Sequence, residues 1–226
     1  MRKISLVIFD CDGVLVDSEC LSAQVLVETF AQIGVTIDRQ FVFDNFLGHS
    51  FSTVAAKFAR LHGINVADSF EGDYRNSLLR RFAGNLKPMT DIKMVMDGLA
   101  VPYCVATGSS PLRVSKTLEL TDLSSRVAGR VFTTSMVARG KPAPDVFLYV
   151  ASEMKVPPEE CLVIEDSATG VEGAKAAGMI VWQFAGGCHY SNGYLQGNPG
   201  LLVDRVFDRM DNFFDAAPEL RCATGN

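Results

Sequence analysis

The most constraining feature of this chain is a short apolar segment, 4–9 (ISLVIF), that stops abruptly at Asp10. A continuous apolar run of this length is typical of a strand buried on both faces of a parallel sheet. Similar runs recur along the chain, at 103–106, 161–164, 180–184 and, less clearly, 201–203. Helical patterns separate them, at 111–120, 145–154 and 171–177. Strands that alternate with helices predict an α/β fold with a doubly wound parallel sheet.

The segment between the first two runs has a different pattern. Apolar residues recur there at helical spacing and end at a glycine typical of a helix stop: Leu21, Val25, Phe30, Ile33 and then Gly34. Further helical patterns cover about 51–62 and 70–82. We therefore predict a small α-helical cap domain, residues 16–84, inserted into a core of residues 1–15 and 85–226.

Composition narrows the range of partners. The 226 residues carry a net charge of −5, which disfavours a nucleic-acid or membrane-surface binder because such proteins usually present a basic face. No apolar run approaches transmembrane length, and the first run is too short for a signal-peptide core. The six cysteines lack zinc-finger spacing, so we expect buried free thiols and a cytoplasmic location. The oligomeric state stays open, a monomer included.

Acidic residues follow two of the predicted strands. Asp10 and Asp12 come after the first run, and Glu165 and Asp166 come after a later one. In an open parallel sheet, ligands bind beyond the carboxyl ends of the strands, so we expect these carboxylates to share one crevice. Such a cluster is unfavourable without a cation or raised pKa values, and all-oxygen ligands suit Mg²⁺. We predict a Mg²⁺ site at these four residues.

Other loops offer groups that suit a phosphate. Thr107 supplies a hydroxyl, and Gly108 and Ser109 supply backbone amides. Ser110 precedes a proline, a pair typical of the start of a helix, whose positive end would face the same crevice. Lys141 also precedes a proline and so lies in extended backbone, from which its ammonium reaches the crevice. We predict that Thr107, Gly108, Ser109 and Lys141 bind substrate phosphate.

Four segments resemble, in order, the four motifs of the haloacid-dehalogenase-like (HAD) hydrolase superfamily. They are 9–19 (FDCDGVLVDSE), 105–109 (VATGS), 140–145 (GKPAPD) and 163–167 (VIEDS) with Gly170 and 176–179 (AAGM). The resemblance runs from about residue 4 to 190 and is greatest to the β-phosphoglucomutase-like branch of sugar-phosphate phosphatases. That branch has a Rossmann-like core and a helical cap inserted after the first motif.

The resemblance implies a role for each matching residue. Asp10 would be the nucleophile that becomes aspartyl phosphate, and Asp12 the general acid–base that binds Mg²⁺ through its backbone carbonyl. Asp166 would be the second carboxylate ligand, with Glu165 supporting the metal directly or through water. The two catalytic side chains that hold the phosphoryl group would be Thr107 and Lys141. These roles predict a Mg²⁺-dependent phosphatase for a small phosphate monoester, a sugar phosphate or a sugar-acid phosphate such as a phosphogluconate.

Other activities stay open. Ser22 stands where the mutase cap has a histidine, and Phe51 where it has an arginine that clamps the distal phosphate, so hydrolysis is favoured over a phosphomutase. A 2-haloacid dehalogenase would not need Asp12, and a phosphonatase would need a cap lysine such as Lys57 to form a Schiff base. A binding module without turnover would be expected to lack Asp10 or Asp12.

The cap offers few further candidates. His49 lies where caps of this family approach the substrate, so it is a candidate specificity contact. Asp17 and Glu19 either face the mouth of the site or only begin the cap helix, and we favour the helix start. We expect His62 and His189 to be structural or exposed.

Overall fold

The computed structural model describes residues 3–49, 51–66, 68–191 and 202–223. Within these ranges, six strands form one parallel sheet. They are β1 (Leu6–Phe9), β2 (Tyr103–Thr107), β3 (Val131–Thr133), β4 (Cys161–Glu165), β5 (Ile180–Phe184) and β6 (Arg205–Phe207). Their order in the sheet is β3-β2-β1-β4-β5-β6, which confirms the predicted doubly wound α/β fold.

The first strand lies in the middle of the sheet. Phe9 is in register with Val105 of β2 on one side and with Ile164 of β4 on the other. The chain continues from β1 to β2 and later crosses back to β4, so the order of the strands reverses at β1. The carboxyl ends of these three strands therefore meet where ligands bind in open α/β sheets.

Among the described residues, the segment between β1 and β2 begins with four helices. They are α1 (Glu19–Gln32), α2 (Arg39–Asn45), α3 (Phe51–His62) and α4 (Asp68–Asn85). Most of their buried apolar side chains form a cluster of their own, in which the ring of Phe30 lies 4.1 Å from that of Phe58 and 4.7 Å from that of Phe70. Val25 and Phe82 instead join a cluster of the sheet. The inserted segment is thus helical and has an apolar core of its own.

Six more α-helices of the described residues accompany the sheet. They are α5 (Ile92–Gly98), α6 (Pro111–Leu120), α7 (Asp145–Met154), α8 (Ala168–Ala176), α9 (Cys188–Ser191) and α10 (Phe213–Ala216). Successive side chains of a strand point to opposite faces, so Val7 and Phe9 join one apolar cluster while Leu6 and Ile8 join another. Both faces of β1 are buried, which explains its uninterrupted apolar sequence. No described helix is both long and apolar enough to cross a membrane.

One predicted strand is wrong. Leu201 lies outside the described residues, the side chain of Leu202 is exposed, and the last strand of the sheet begins at Arg205. The prediction failed because β6 is a short edge strand with exposed residues and has no apolar run of its own.

Candidate active site

Three of the four predicted acidic residues meet at the carboxyl end of the sheet. Asp10 follows β1, and Glu165 ends β4 just before Asp166. Carboxylate oxygens of these three buried residues lie within 4.8 Å of one another. They are therefore close enough to share one cation.

The ammonium of Lys141 joins two of these carboxylates. It donates to Asp10 Oδ1 at 2.6 Å, to Glu165 Oε1 at 2.5 Å and to the carbonyl of Ala106 at 3.0 Å. Burial lowers the pKa of a lysine, but the charges of Asp10 and Glu165 outweigh that effect here and raise the pKa of Lys141. Lys141 is therefore a fixed positive charge beside Asp10.

Glu165 is held by the backbone of its own loop. Its Oε2 atom accepts hydrogen bonds from the amides of Asp166 and Ser167 and from the Ser167 hydroxyl. A Cβ at Gly170 would lie 1.8 Å from Glu165 Oε1, so the helix start at α8 needs glycine there. Glu165 thus connects Lys141 to the loop that carries Asp166.

The charge of this cluster favours a divalent cation. Burial raises the pKa of the Asp10 carboxyl well above its usual range, and Glu165 and Asp166 add to the rise although Lys141 opposes it. Burial and the charge of Glu165 likewise raise the pKa of Asp166. Three carboxylates that face one ammonium leave two negative charges when all are ionised, which one Mg²⁺ would balance. The donor set therefore fits a magnesium ion.

Asp166 is also held from the other side of the site. Its Oδ2 atom is buried and accepts no hydrogen bond from the described residues, although Nε2 of His189 lies 3.0 Å away. The Tyr190 hydroxyl donates to its backbone carbonyl at 2.6 Å. A Cβ at Gly13 would lie 1.9 Å from Oδ2, and Gly13 has a φ of +79°. His189 is thus buried against a candidate metal ligand, a position that the sequence did not indicate.

The carboxylate of Asp12 points to different partners from that of Asp10. Ser18 and Arg113 donate to its Oδ1 atom, both at 2.7 Å, and Ser109 donates to Oδ2 at 2.5 Å. Burial would raise the pKa of Asp12, but Arg113 and the two serine hydroxyls lower it below its ordinary value. Asp12 is therefore an ionised group, suited to accept a proton. Sequence reasoning missed Arg113, which no local motif marks.

Three of the four predicted phosphate-binding residues lie at the end of β2 and in the loop before α6. Thr107 is buried, and its hydroxyl accepts from the Ser109 amide at 3.0 Å. The Ser110 side chain accepts from the Arg113 amide and so caps α6, as predicted. Adding a Cβ at Gly108 would meet nothing within 4 Å, so its backbone is open to a ligand. Thr107, Gly108 and Ser109 all line the same cavity as Asp10 and Lys141.

This cavity has a volume of about 200 Å³ and lies between the sheet and the inserted helices. The side formed by the inserted helices is largely apolar and includes Leu26, Phe46 and Phe51. His49 also lines it, and Nζ of Lys57 lies 2.7 Å from His49 Nε2. Burial and the charge of Lys57 lower the pKa of His49, so this imidazole is neutral.

Glu19 lines the cavity, contrary to our preference for a simple helix start. Burial first, and then the charges of Asp12 and Asp166, raise the pKa of Glu19 to about 8. At neutral pH its carboxyl is therefore protonated and can donate a hydrogen bond into the cavity.

The expectation of six free thiols is wrong. Cys20, at the start of α1, forms a disulfide with Cys188 of α9, 168 residues further along the chain. Nothing local in either sequence marks the pair, because the fold alone brings them together. Cys11, Cys104 and Cys161 are buried free thiols as expected, whereas Cys222 is free but exposed. The cytoplasmic location stays a prediction.

Comparisons with known proteins agree with this geometry. A family model described as haloacid dehalogenase-like hydrolase matches residues 4–178. The 6-phosphogluconate phosphatase of Escherichia coli is 28% identical over 190 residues, which cover 84% of this chain and 86% of that protein.

Two solved structures resemble the fold over nearly all of its length. A haloacid dehalogenase-like protein of unknown function from Agrobacterium tumefaciens has a TM-score of 0.81 and 28% identity, covering 96% of this chain and 98% of that one. A HAD family hydrolase from Deinococcus radiodurans, with bound phosphate and sodium, has a TM-score of 0.77 and 28% identity and covers 97% of each chain. The family model covers most of the chain, and the chain therefore belongs to the haloacid dehalogenase-like hydrolases.

Proposed function

We propose that this chain is a Mg²⁺-dependent phosphatase that hydrolyses a small sugar phosphate or sugar-acid phosphate, such as a phosphogluconate, through an aspartyl phosphate on Asp10. The observation that carries the proposal is the position of Asp10. Its carboxylate lines the cavity between the sheet and the inserted helices, bonded to Lys141 and beside Asp166. The similarity to a 6-phosphogluconate phosphatase supports the substrate class.

In the first step, a carboxylate oxygen of Asp10 attacks phosphorus, and the bond from phosphorus to the ester oxygen breaks. Asp12, which is ionised in the free protein, takes up a proton from solvent as the anionic substrate binds. It gives this proton to the departing alkoxide, so that the alcohol leaves neutral. Lys141 and the hydroxyl of Thr107 hold the transferring group and offset its charge. The product is aspartyl phosphate on Asp10.

In the second step, water attacks phosphorus of the aspartyl phosphate, and Asp12 accepts the proton of that water. The bond between phosphorus and the carboxylate oxygen of Asp10 breaks. Inorganic phosphate leaves, and Asp10 is a carboxylate again. Three donors favour ionised Asp12 in the absence of substrate, which suits this second role. Phosphoryl transfer depends mainly on such positioning and charge stabilisation.

Mg²⁺ would bind to Asp10 and Asp166 and to the backbone carbonyl of Asp12, with Glu165 as a direct or water-mediated support. When bound, it neutralises the carboxylates and polarises the phosphoryl oxygens. The side-chain oxygens of Asp12 are already used by Ser18, Ser109 and Arg113, which is compatible with ligation through its backbone only.

We further propose that residues 16–84 act as a cap that closes over the substrate, with the core formed by 1–15 and 85–226. The chain crosses between the two at Val16 and Pro88, which form an isolated antiparallel bridge. The cap touches the core where the Thr169 hydroxyl donates to the Gly48 carbonyl at 2.9 Å. Closure of this kind would exclude bulk water from the acyl phosphate until hydrolysis.

A β-phosphoglucomutase-like phosphomutase is the alternative, and two cap residues disfavour it. Ser22, in the place of the mutase histidine, accepts from Arg113 Nη2 at 3.2 Å and is also hydrogen-bonded to Tyr74. Phe51, in the place of the mutase arginine, stacks near Tyr74 with ring centroids 6.0 Å apart. Neither side chain can shuttle a proton to the substrate or clamp a second phosphate.

Phosphate release from a panel of sugar and sugar-acid phosphates, with and without EDTA, tests the proposal. We expect metal-dependent release that Asp10→Asn abolishes and that Asp44→Asn, a change at an exposed aspartate, leaves intact. Conversion of a sugar phosphate to its isomer with little phosphate release would identify a mutase instead. Full activity after complete chelation would refute the metal assignment.

A further inference from the structure

Arg113 lies where the catalytic cluster meets the cap. Its Nη2 atom donates to Asp12 of the core at 2.7 Å and to Ser22 of α1 at 3.2 Å. Its guanidinium carbon lies 5.6 Å from the ring centre of Phe82 in α4. The side chain is 22% exposed and lines the cavity. This arginine is therefore largely desolvated and yet accessible to a bound molecule.

Two nitrogen atoms of the Arg113 guanidinium are not engaged by the described residues. Within the part of the chain that the structure describes, Nε and Nη1 of Arg113 have no hydrogen-bond partner, and Nε is fully buried. Asp12, in contrast, has a serine donor on each carboxylate oxygen, from Ser18 and Ser109. Asp12 would keep these two hydrogen bonds if Arg113 turned toward a ligand.

The other cations that line the cavity already have anionic partners. Lys141 pairs with Asp10 and Glu165 at the phosphate end, and Arg75 pairs with Glu71 on α4. The protonated carboxyl of Glu19 does not neutralise Arg113 at neutral pH. Arg113 also has an anionic partner, Asp12, but that carboxylate keeps its two serine donors when Arg113 turns toward a ligand. Among the described cations of the cavity, Arg113 is thus the one best placed to meet a second anionic group on a substrate whose phosphate sits at Asp10.

We propose that Arg113 binds a carboxylate at the end of the substrate remote from its phosphate ester. The chain then prefers phosphorylated sugar acids to the matching neutral polyol phosphates, an inference that rests on the function proposed above. The planar guanidinium matches a carboxylate in a two-point hydrogen-bonded pair. A single arginine also suits one negative charge better than a second phosphate dianion, because Asp12 lies beside it.

Binding to a catalytically dead protein separates this role from any effect on the chemistry of Asp12. We would measure the affinities of Asp10→Asn for 6-phosphogluconate and glucitol 6-phosphate, which differ only in a carboxylate at carbon 1, by calorimetry. The same pair would be measured with Arg113→Gln added, and with Arg126→Gln added as a control at a surface ion pair with Asp97. We expect tighter binding of the acid, and a loss of about 10- to 150-fold in that affinity with Arg113→Gln alone.

If Arg113→Gln lowers the affinities for the acid and the polyol equally, the inference is overturned, because Arg113 would then only position Asp12 or the cap. Equal affinities before any change at Arg113 would overturn it as well. Arg113→Lys keeps the positive charge but not the planar pair of donors, and it serves as the test if the glutamine variant fails to fold. We expect this variant to lose less affinity for the acid than Arg113→Gln does. Phosphate release by the unaltered enzyme tests the proposed function separately, since release from both compounds without discrimination defeats only this inference.

Discussion

Replacing Lys141 with methionine removes the one ammonium that lies between two buried carboxylates. Lys141 bonds to Asp10 at 2.6 Å and to Glu165 at 2.5 Å, and its side chain is only 5% exposed. Breaking a buried ion pair by removing one partner costs about 3–5 kcal/mol, because the other charge stays buried without compensation. We expect a loss of this size in the unfolding free energy of the metal-free protein.

Urea unfolding at pH 7 in EDTA measures this loss for Lys141→Met in the unaltered protein and in an Asp10→Asn/Glu165→Gln background. In that background the carboxylates are already neutral, so the same change is expected to cost far less. Phosphate release is expected to fall about 100- to 1,000-fold, since a fixed charge beside the transferring group is lost. A stability loss below about 1 kcal/mol, or one that is equal in both backgrounds, would refute the ion-pair account.

Three further predictions concern the surroundings of the site. Gly170→Ala would place a Cβ 1.8 Å from Glu165 Oε1, so we expect a lower unfolding free energy and weaker Mg²⁺ binding. An unchanged affinity in calorimetric titration with Mg²⁺ would contradict this. In the folded protein Glu19 keeps its proton up to about pH 8, whereas in the unfolded chain it loses the proton near pH 4.5. The contribution of Glu19 to the unfolding free energy therefore falls as the pH rises between these values. Glu19→Gln should therefore make the unfolding free energy decline less from about pH 5 to 8, and parallel pH profiles would count against it. Cys188→Ser removes a cross-link between residues 168 apart and should lower the unfolding free energy by about 5 kcal/mol in the chain-entropy model. Thiol titration of the denatured, unreduced protein should find four free thiols, and six would contradict the disulfide.

The catalytic core was predictable because its signals are local. A strand buried on both faces needs an uninterrupted apolar run, and β1, β2, β4 and β5 all have one. Polar residues directly after such runs must lie at one edge of the sheet, which placed Asp10 and Asp166 together. The order of the motifs then indicated the family.

Other parts were not predictable because their partners are distant in the sequence. The edge strand β3 has three residues, too few for a recognisable pattern. Arg113 reaches Asp12 from a helix about a hundred residues away, and His189 lies against Asp166 from α9, after β5. The Cys20–Cys188 disulfide likewise depends on how α1 packs near α9. A long side chain acting across the fold leaves no periodicity or spacing in the sequence.

Trapping the covalent intermediate tests the central proposal most directly. The protein is mixed rapidly with a substrate that it hydrolyses and is then treated with borohydride, which reduces an aspartyl phosphate to homoserine. Mass spectrometry of the digested protein locates the homoserine. The account predicts homoserine at position 10 when Mg²⁺ and substrate are both present, and none in EDTA. Rapid hydrolysis with an unmodified Asp10, or homoserine at another aspartate, would contradict it.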